Sequence, residues 1–187
     1  MTNSSQYTLT YKSESNDGIY LVKSAKQSYE FSLEQKKSLK LINPNGNEAL
    51  TTESKSFFND DLKLNLPLDN NFHGVEFVQK GDCSGYKVKG RYNATPIDWK
   101  WKKNHGGLSF QLIDKSDPDS IIADIRGFTL REASEGHMTI NNLENAYFEE
   151  LLIGTGCLIY QTEKILKKRE RDRKPFGQLE TFKKFSK

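Results

Sequence analysis

The chain has 187 residues, 35% hydrophobic, 11% aromatic and 28% charged, with a formal net charge of +3. That length suits one domain with one sizeable core, and the aromatic content argues against a disordered chain despite a mean hydropathy of −0.75. Two cysteines, Cys83 and Cys157, exclude a disulfide scaffold and a cysteine-rich zinc site.

In chain order, short segments with period-two alternation or β-rich composition recur from the start. They cover 7–12, 18–23, 28–33, 38–43, 49–53, 61–66, 73–79, 85–92, 97–103, 108–114, 120–126 and 138–141, with 128–132 as a further candidate. Turn chemistry separates many of them: Asn16-Asp17-Gly18, Asn43-Pro44-Asn45-Gly46, Asp69-Asn70-Asn71, Gly81-Asp82, Gly106-Gly107 and Asp117-Pro118. Strands at this spacing predict an antiparallel sandwich or barrel. The sequence shows no repeat of fixed period and no low-complexity linker.

The C-terminal third changes character. Asn141 followed by Glu144 has the form of a capping box, which predicts a helix near 142–173 ended by Pro175 and Gly177. From Leu151 to Tyr160 no charged residue falls on any face. A helix apolar all round requires apolar surroundings. Ten residues rise only about 15 Å, half the hydrocarbon core of a bilayer, so the segment fits inside a protein better than across a membrane. Gly154, Thr155, Gly156 and Cys157 would let a wall approach closely. A strand over 151–160 is the alternative, since short apolar runs are ambiguous. The expected organisation is one domain over 1–174 and a basic tail over 175–187.

Several short motifs in this order resemble the tubby C-terminal-like superfamily, which includes tubby-like proteins, phospholipid scramblases and LURP-one-related proteins. They are Ile97-Asp98-Trp99-Lys100-Trp101, Phe110-Gln111-Leu112-Ile113-Asp114 and Ile121-Ile122-Ala123-Asp124-Ile125. Glu149-Glu150-Leu151-Leu152-Ile153-Gly154-Thr155-Gly156-Cys157-Leu158-Ile159 then runs into a charged stretch. The chain is most similar to the small fungal members, and the resemblance covers nearly all of it. It implies a mainly β fold: a closed antiparallel barrel of about twelve strands enclosing a C-terminal hydrophobic helix. Physics supports that pairing, because a barrel of about twelve strands is too wide for its own side chains to fill. Inward positions are then Tyr86, Val88, Gly90 and Tyr92, then Trp99 and Trp101, then Phe110 and Leu112. Lys87, Lys89, Arg91, Asp98, Lys100, Lys102, Ser109, Gln111 and Ile113 face outward. Cys157 becomes a buried filler, and Cys83 sits in a surface turn.

Catalytic and metal chemistry is weakly represented. Gly81-Asp82-Cys83-Ser84-Gly85 has the look of a nucleophile turn, but a nucleophile needs a base and an orienting acid. His73 is the only histidine upstream, ten residues away, and the segment reads as a hairpin turn. His73, His105 and His137 lack metal-ligand spacing. Asn93-Ala94-Thr95 is a glycosylation sequon that reads instead as a hairpin loop before Pro96. No phosphate-binding glycine loop and no RNA-recognition signature appears. The expectation is a protein that is not an enzyme, with no cofactor and no metal, disfavoured as a nucleic-acid binder and monomeric.

Charge is unevenly spread. From Lys164 onward ten basic and three acidic residues give +7, whereas the first 163 residues carry −4. A solvated tail is one reading, and attraction to an anionic membrane or nucleic acid is another. A second basic group is Lys87, Lys89, Arg91, Lys100 and Lys102, which merge into one face if 92–96 is a hairpin connection. Like charges on adjoining strands repel unless screened or matched by an anion, and a solvated outer face with neighbouring acids such as Asp98 is the alternative. The resemblance implies phosphoinositide-type headgroup binding through barrel-surface cations. These five are therefore the candidate ligand-binding residues. Lys167, Lys168, Arg169, Arg171, Arg173 and Lys174 are the candidate membrane-surface contacts. The alternatives are a structural or protein-interaction adaptor without ligand and a scramblase-like lipid transporter. The N-terminus shows no secretory signal pattern. The expected setting is cytoplasmic and peripheral at a membrane.

Overall fold

The computed structural model describes residues 4–14, 17–34, 38–54, 62–65, 74–80, 84–92, 95–104, 108–127, 135–141 and 148–173. The first six strands are β1 (Ser5–Glu14), β2 (Asp17–Lys23), β3 (Ser28–Glu34), β4 (Ser38–Ile42), β5 (Glu48–Ser54) and β6 (Leu62–Asn65). The next six are β7 (Val75–Gln79), β8 (Gly85–Tyr92), β9 (Thr95–Lys103), β10 (Phe110–Asp114), β11 (Ile121–Arg126) and β12 (Glu135–Ile140), followed by helix α1 (Glu149–Arg173). Each of the twelve predicted segments overlaps one of these strands, with ends shifted by a few residues. The further candidate at 128–132 lies outside the described residues.

The protein is mainly β, an antiparallel sheet with one C-terminal helix packed against it. Consecutive strands pair with one another throughout. In addition β1 pairs with β12, Ser5 facing Ile140 and Thr10 facing Glu135, so the strand order returns to its start.

Alternation in the sequence explains which face each side chain takes. On β8, Tyr86, Val88 and Tyr92 are buried while Lys89 and Arg91 are exposed. On β9, Ile97, Trp99 and Trp101 are buried while Asp98 and Lys102 are exposed. Gly90 holds an inward position without a side chain, and a Cβ there would lie 2.7 Å from the Gly74 carbonyl oxygen. Ile113 departs from its predicted exposure. It is buried although it stands apart from the interior cluster, beside a register irregularity in the β10–β11 ladder. The irregularity breaks strict alternation there.

The interior cluster draws side chains from all twelve strands and from α1. Residues 151–160 are buried on every face of a continuous helix, which settles the helix-or-strand ambiguity. Leu151, Leu152, Ile153, Leu158 and Ile159 are each 0% exposed. Burying such a side chain contributes about 1.5–3 kcal/mol. The small residues admit the surrounding side chains: a Cβ on Gly154 would lie 2.8 Å from Leu50 Cδ1, and one on Gly156 3.2 Å from Met138 Sδ.

The start of the helix corrects the sequence reading. Asn141 does not cap α1. Its backbone N–H donates to the Ile122 carbonyl at 2.9 Å and its Nδ2 to the Ile121 carbonyl at 3.2 Å, tying it to β11. A local cap pattern lost to two carbonyls supplied by a neighbouring strand. The helix begins later than expected, at Glu149, with Glu149 and Glu150 in its first turn, where carboxylates suit the helix dipole. Residues 142–147, which include Glu144 of the predicted capping box, lie outside the described residues.

Candidate functional site

The β8–β9 ladder places the five predicted cations on one face. In register Lys87 faces Lys100, Gly85 faces Lys102, Lys89 faces Asp98 and Arg91 faces Pro96. The Lys87–Lys100 pair sets two ammonium-bearing side chains directly opposite, an arrangement that costs energy unless solvent or an anion screens it. Among the described residues, Lys87, Lys89, Arg91 and Lys102 form no ion pair. The face is not uniformly positive. Lys89 lies between Glu76 of β7 and Asp98 of β9, and Asp98 is ion-paired with Lys115.

The second basic group lies at the far end of α1. Lys167, Lys168, Arg169, Arg171 and Arg173 are helical residues, whereas Lys174 lies outside the described residues. What ties α1 to the inner side of β8 and β9 is a carboxylate that the sequence reading passed over. Glu163, 8% exposed, accepts from the Tyr86 hydroxyl at 2.9 Å through Oε1 and from Lys103 Nζ at 2.8 Å through Oε2. Tyr86 belongs to β8 and Lys103 to β9. Lys103 is on the inward set with Trp99 and Trp101, and its ammonium also stands 5.7 Å from the Phe110 ring centroid. Both oxygens of Glu163 are thus engaged by the two strands that carry Lys87 and Lys102. The basic part of α1 continues for about 15 Å past that anchor.

Other polar contacts hold α1 in register. At its start the Tyr7 and Tyr29 hydroxyls and Gln27 Nε2 all donate to Glu149 Oε1, the Tyr29 bond at 3.2 Å. Asn43 Nδ2 donates to Glu150 Oε1 at 3.2 Å. Midway, Trp101 Nε1–H donates to Thr155 Oγ1 at 3.3 Å. Further along, the Tyr20 hydroxyl donates to Gln161 Oε1 at 2.6 Å. Burial pushes the Tyr7 and Tyr29 hydroxyls well above the usual phenol range, and the Glu149 carboxylate adds to it. These contacts are between residues more than a hundred positions apart, except Trp101–Thr155, and no local pattern marks them.

Candidates for other chemistry are scattered. Cys157 is fully buried in α1, and desolvation pushes its thiol far up, away from the reactive thiolate form. Cys83, His73, His105, Asn93 and Ala94 lie outside the described residues. His137 sits on β12. Among the described residues no group of three or more His, Cys, Asp or Glu side chains is arranged to hold a metal ion, and no helix is long and apolar enough to cross a membrane.

A comparison of the chain with protein-family models finds no match, and neither does a comparison with curated proteins.

Proposed function

We propose that the chain is a tubby C-terminal-like barrel, threaded by α1, that binds anionic lipid headgroups without catalysing a reaction. In this reading it is a cytoplasmic monomer, peripheral at a membrane. The observation that carries the reading is the Glu163 anchor, which joins the basic end of α1 to the strands bearing Lys87, Lys89, Arg91, Lys100 and Lys102. Two cationic regions then act on one surface. Fixed side chains on the sheet supply donors that match phosphate geometry, and the helix end supplies diffuse attraction.

Liposome pelleting tests this. Each cation near an anionic surface contributes about 1 kcal/mol, so Lys87→Ala with Lys89→Ala should lower affinity for phosphoinositide vesicles by roughly 2 kcal/mol, about thirtyfold. It should also reduce discrimination among headgroups. Neutralising Lys167, Lys168, Arg169 and Arg171 should weaken binding to all anionic vesicles alike. A protein that ignores anionic vesicles at low ionic strength overturns the reading. The acids Glu76 and Asp98 flanking Lys89 favour a second reading, a protein-interaction adaptor whose outer face is mixed in charge. Scramblase-like transport has less support, because α1 would have to leave polar partners at Glu149, Thr155 and Glu163.

A further inference from the structure

A concavity lies away from the lysine face, separated from it by β10 and β11 in the strand order. It is a groove of about 510 Å³ over β12, β1 and the turn between β2 and β3. Its polar lining is Gln6, Thr8, Lys23, Ser24, His137 and Thr139. The ladders explain why these residues meet. Thr8 stands in register with His137 on one side and with Lys23 on the other, and Gln6 stands opposite Thr139. Adjacent strands are about 4.8 Å apart, so His137 and Lys23 flank Thr8 across roughly 10 Å. That separation lets both long side chains reach one small anion held over Thr8.

The turn at the edge of the groove is held in place. Ser24 Oγ accepts from the backbone N–H groups of Lys26 at 3.2 Å and Gln27 at 3.1 Å, and Gln27 in turn reaches Glu149. The remaining polar side chains of the lining are uncommitted. Gln6, Thr8, Lys23, His137 and Thr139 make no side-chain hydrogen bond or ion pair among the described residues. Among the described residues no Asp or Glu lines the groove. Of the nearby acids, Asp124 faces Thr139 but is bound by Arg126 Nε at 2.7 Å, and Glu149 is taken by Tyr7, Tyr29 and Gln27. Glu135 is opposite Thr10, two residues along β12 from His137.

We infer that this groove binds the phosphomonoester group of a small polar molecule, either free in solution or as the headgroup of a lipid. An ammonium, an imidazole N–H, two hydroxyls and a primary amide line it, more donors than a carboxylate uses and a match for the terminal oxygens of a phosphate. The groove is larger than phosphate itself and falls within the range of small-molecule sites, about 300–1,000 Å³, leaving room for the organic part. The site is independent of the lysine face and stands or falls separately from the lipid reading.

The test uses the full chain with isotope-labelled histidine, following the His137 ring signals by NMR while His73 and His105 serve as internal controls. The soluble probes are inositol 1-phosphate and unphosphorylated inositol. The membrane probe is phosphatidylcholine vesicles with and without phosphatidic acid. Inositol 1-phosphate should shift His137 saturably and inositol should not. Lys23→Gln should weaken that binding about tenfold, the loss of one charge-assisted hydrogen bond. Thr8→Val with Thr139→Val should weaken it as well, whereas Lys87→Gln with Lys89→Gln should leave it unchanged. Response to phosphatidic acid vesicles as well as to inositol 1-phosphate identifies a headgroup site, and response to the soluble probe alone identifies a free metabolite. Either supports the inference. Absence of a saturable shift from both the vesicles and the soluble probe, the latter tested up to about 10 mM, overturns it. So does an equal shift with inositol or an unchanged affinity in Lys23→Gln.

Discussion

Gly156→Leu tests the packing of α1 against the strands. A single methyl at this position already lies 3.2 Å from Met138 Sδ and 3.3 Å from Ile125 Cδ1. Both neighbours are the flexible ends of side chains, so Gly156→Ala can be absorbed by shifts of a few tenths of an ångström. It also gains about 1 kcal/mol of helix propensity. Leucine adds three further carbons where those two side chains are already in contact. Overpacking of this kind costs about 1–3 kcal/mol. For a chain of this size each kcal/mol moves Tm by about 2–4 °C, so the expected drop is roughly 2–12 °C. Trp99 and Trp101 are buried and report urea or thermal unfolding without labels. Met138→Ala removes one of the two obstructing ends, and in the double variant part of the loss should return as a coupling of about 0.5–3 kcal/mol. Unchanged stability in Gly156→Leu, or strict additivity with Met138→Ala, would refute the packing argument.

Three further outcomes follow from the same interior. Gly85→Ala should cost on the order of 3 kcal/mol or more, because Gly85 has φ +145° and its Cβ would lie 1.9 Å from the Trp101 carbonyl oxygen, a backbone atom; soluble protein with native tryptophan emission would contradict this. Thr155→Val leaves the buried Trp101 N–H without its acceptor and should cost about 1–3 kcal/mol by urea unfolding, whereas Thr155→Ser should recover most of it. Stability should decline as pH rises past about 9, since Cys157, Tyr7 and Tyr29 keep their protons in the folded chain after the unfolded chain has released them. The unfolded state then binds fewer protons, which gives a falling curve, and a flat urea midpoint through that range would count against the burial of these groups.

The strands were legible because alternation is a local signal, and β8 and β9 show it cleanly: the Tyr86, Val88 and Tyr92 side chains go in, and Lys89 and Arg91 stay out. The same parity placed Lys87, Lys100 and Lys102 on the face with Lys89 and Arg91. Parity also put Asp98 among these cations, but it could not say what stands across the neighbouring ladders, so the placing of Glu76 beside Lys89, and of Asp98 directly opposite it, emerges from the registers. Glu163 reads in sequence as one more charge in a charged run. Its partners Tyr86 and Lys103 are at least 60 residues away. Asn141 and Ile113 mislead for a related reason: a hydrogen bond to β11 outweighs the cap pattern, and a register irregularity defeats alternation. The groove was invisible for want of any motif, because Lys23 and His137 meet only through the pairing of β1 with β2 and β12.

That pairing of β1 with β12 also orders events in time. Every other ladder joins strands adjacent in the chain, but this one brings Ser5 to Ile140. Closing so long a loop costs roughly 2 kcal/mol more than closing a ten-residue one. The helix that completes the interior follows β12, so on a ribosome all twelve strands emerge before their filler does. If the sheet closes around α1 as proposed, a seam zipped early would shut out 151–160, and a seam left open exposes unpaired strand edges to other chains. The expected order is therefore that α1 docks first and β1 zips to β12 last. In pulse-labelling hydrogen exchange, the amides of 5–10 should gain protection after those of 151–160.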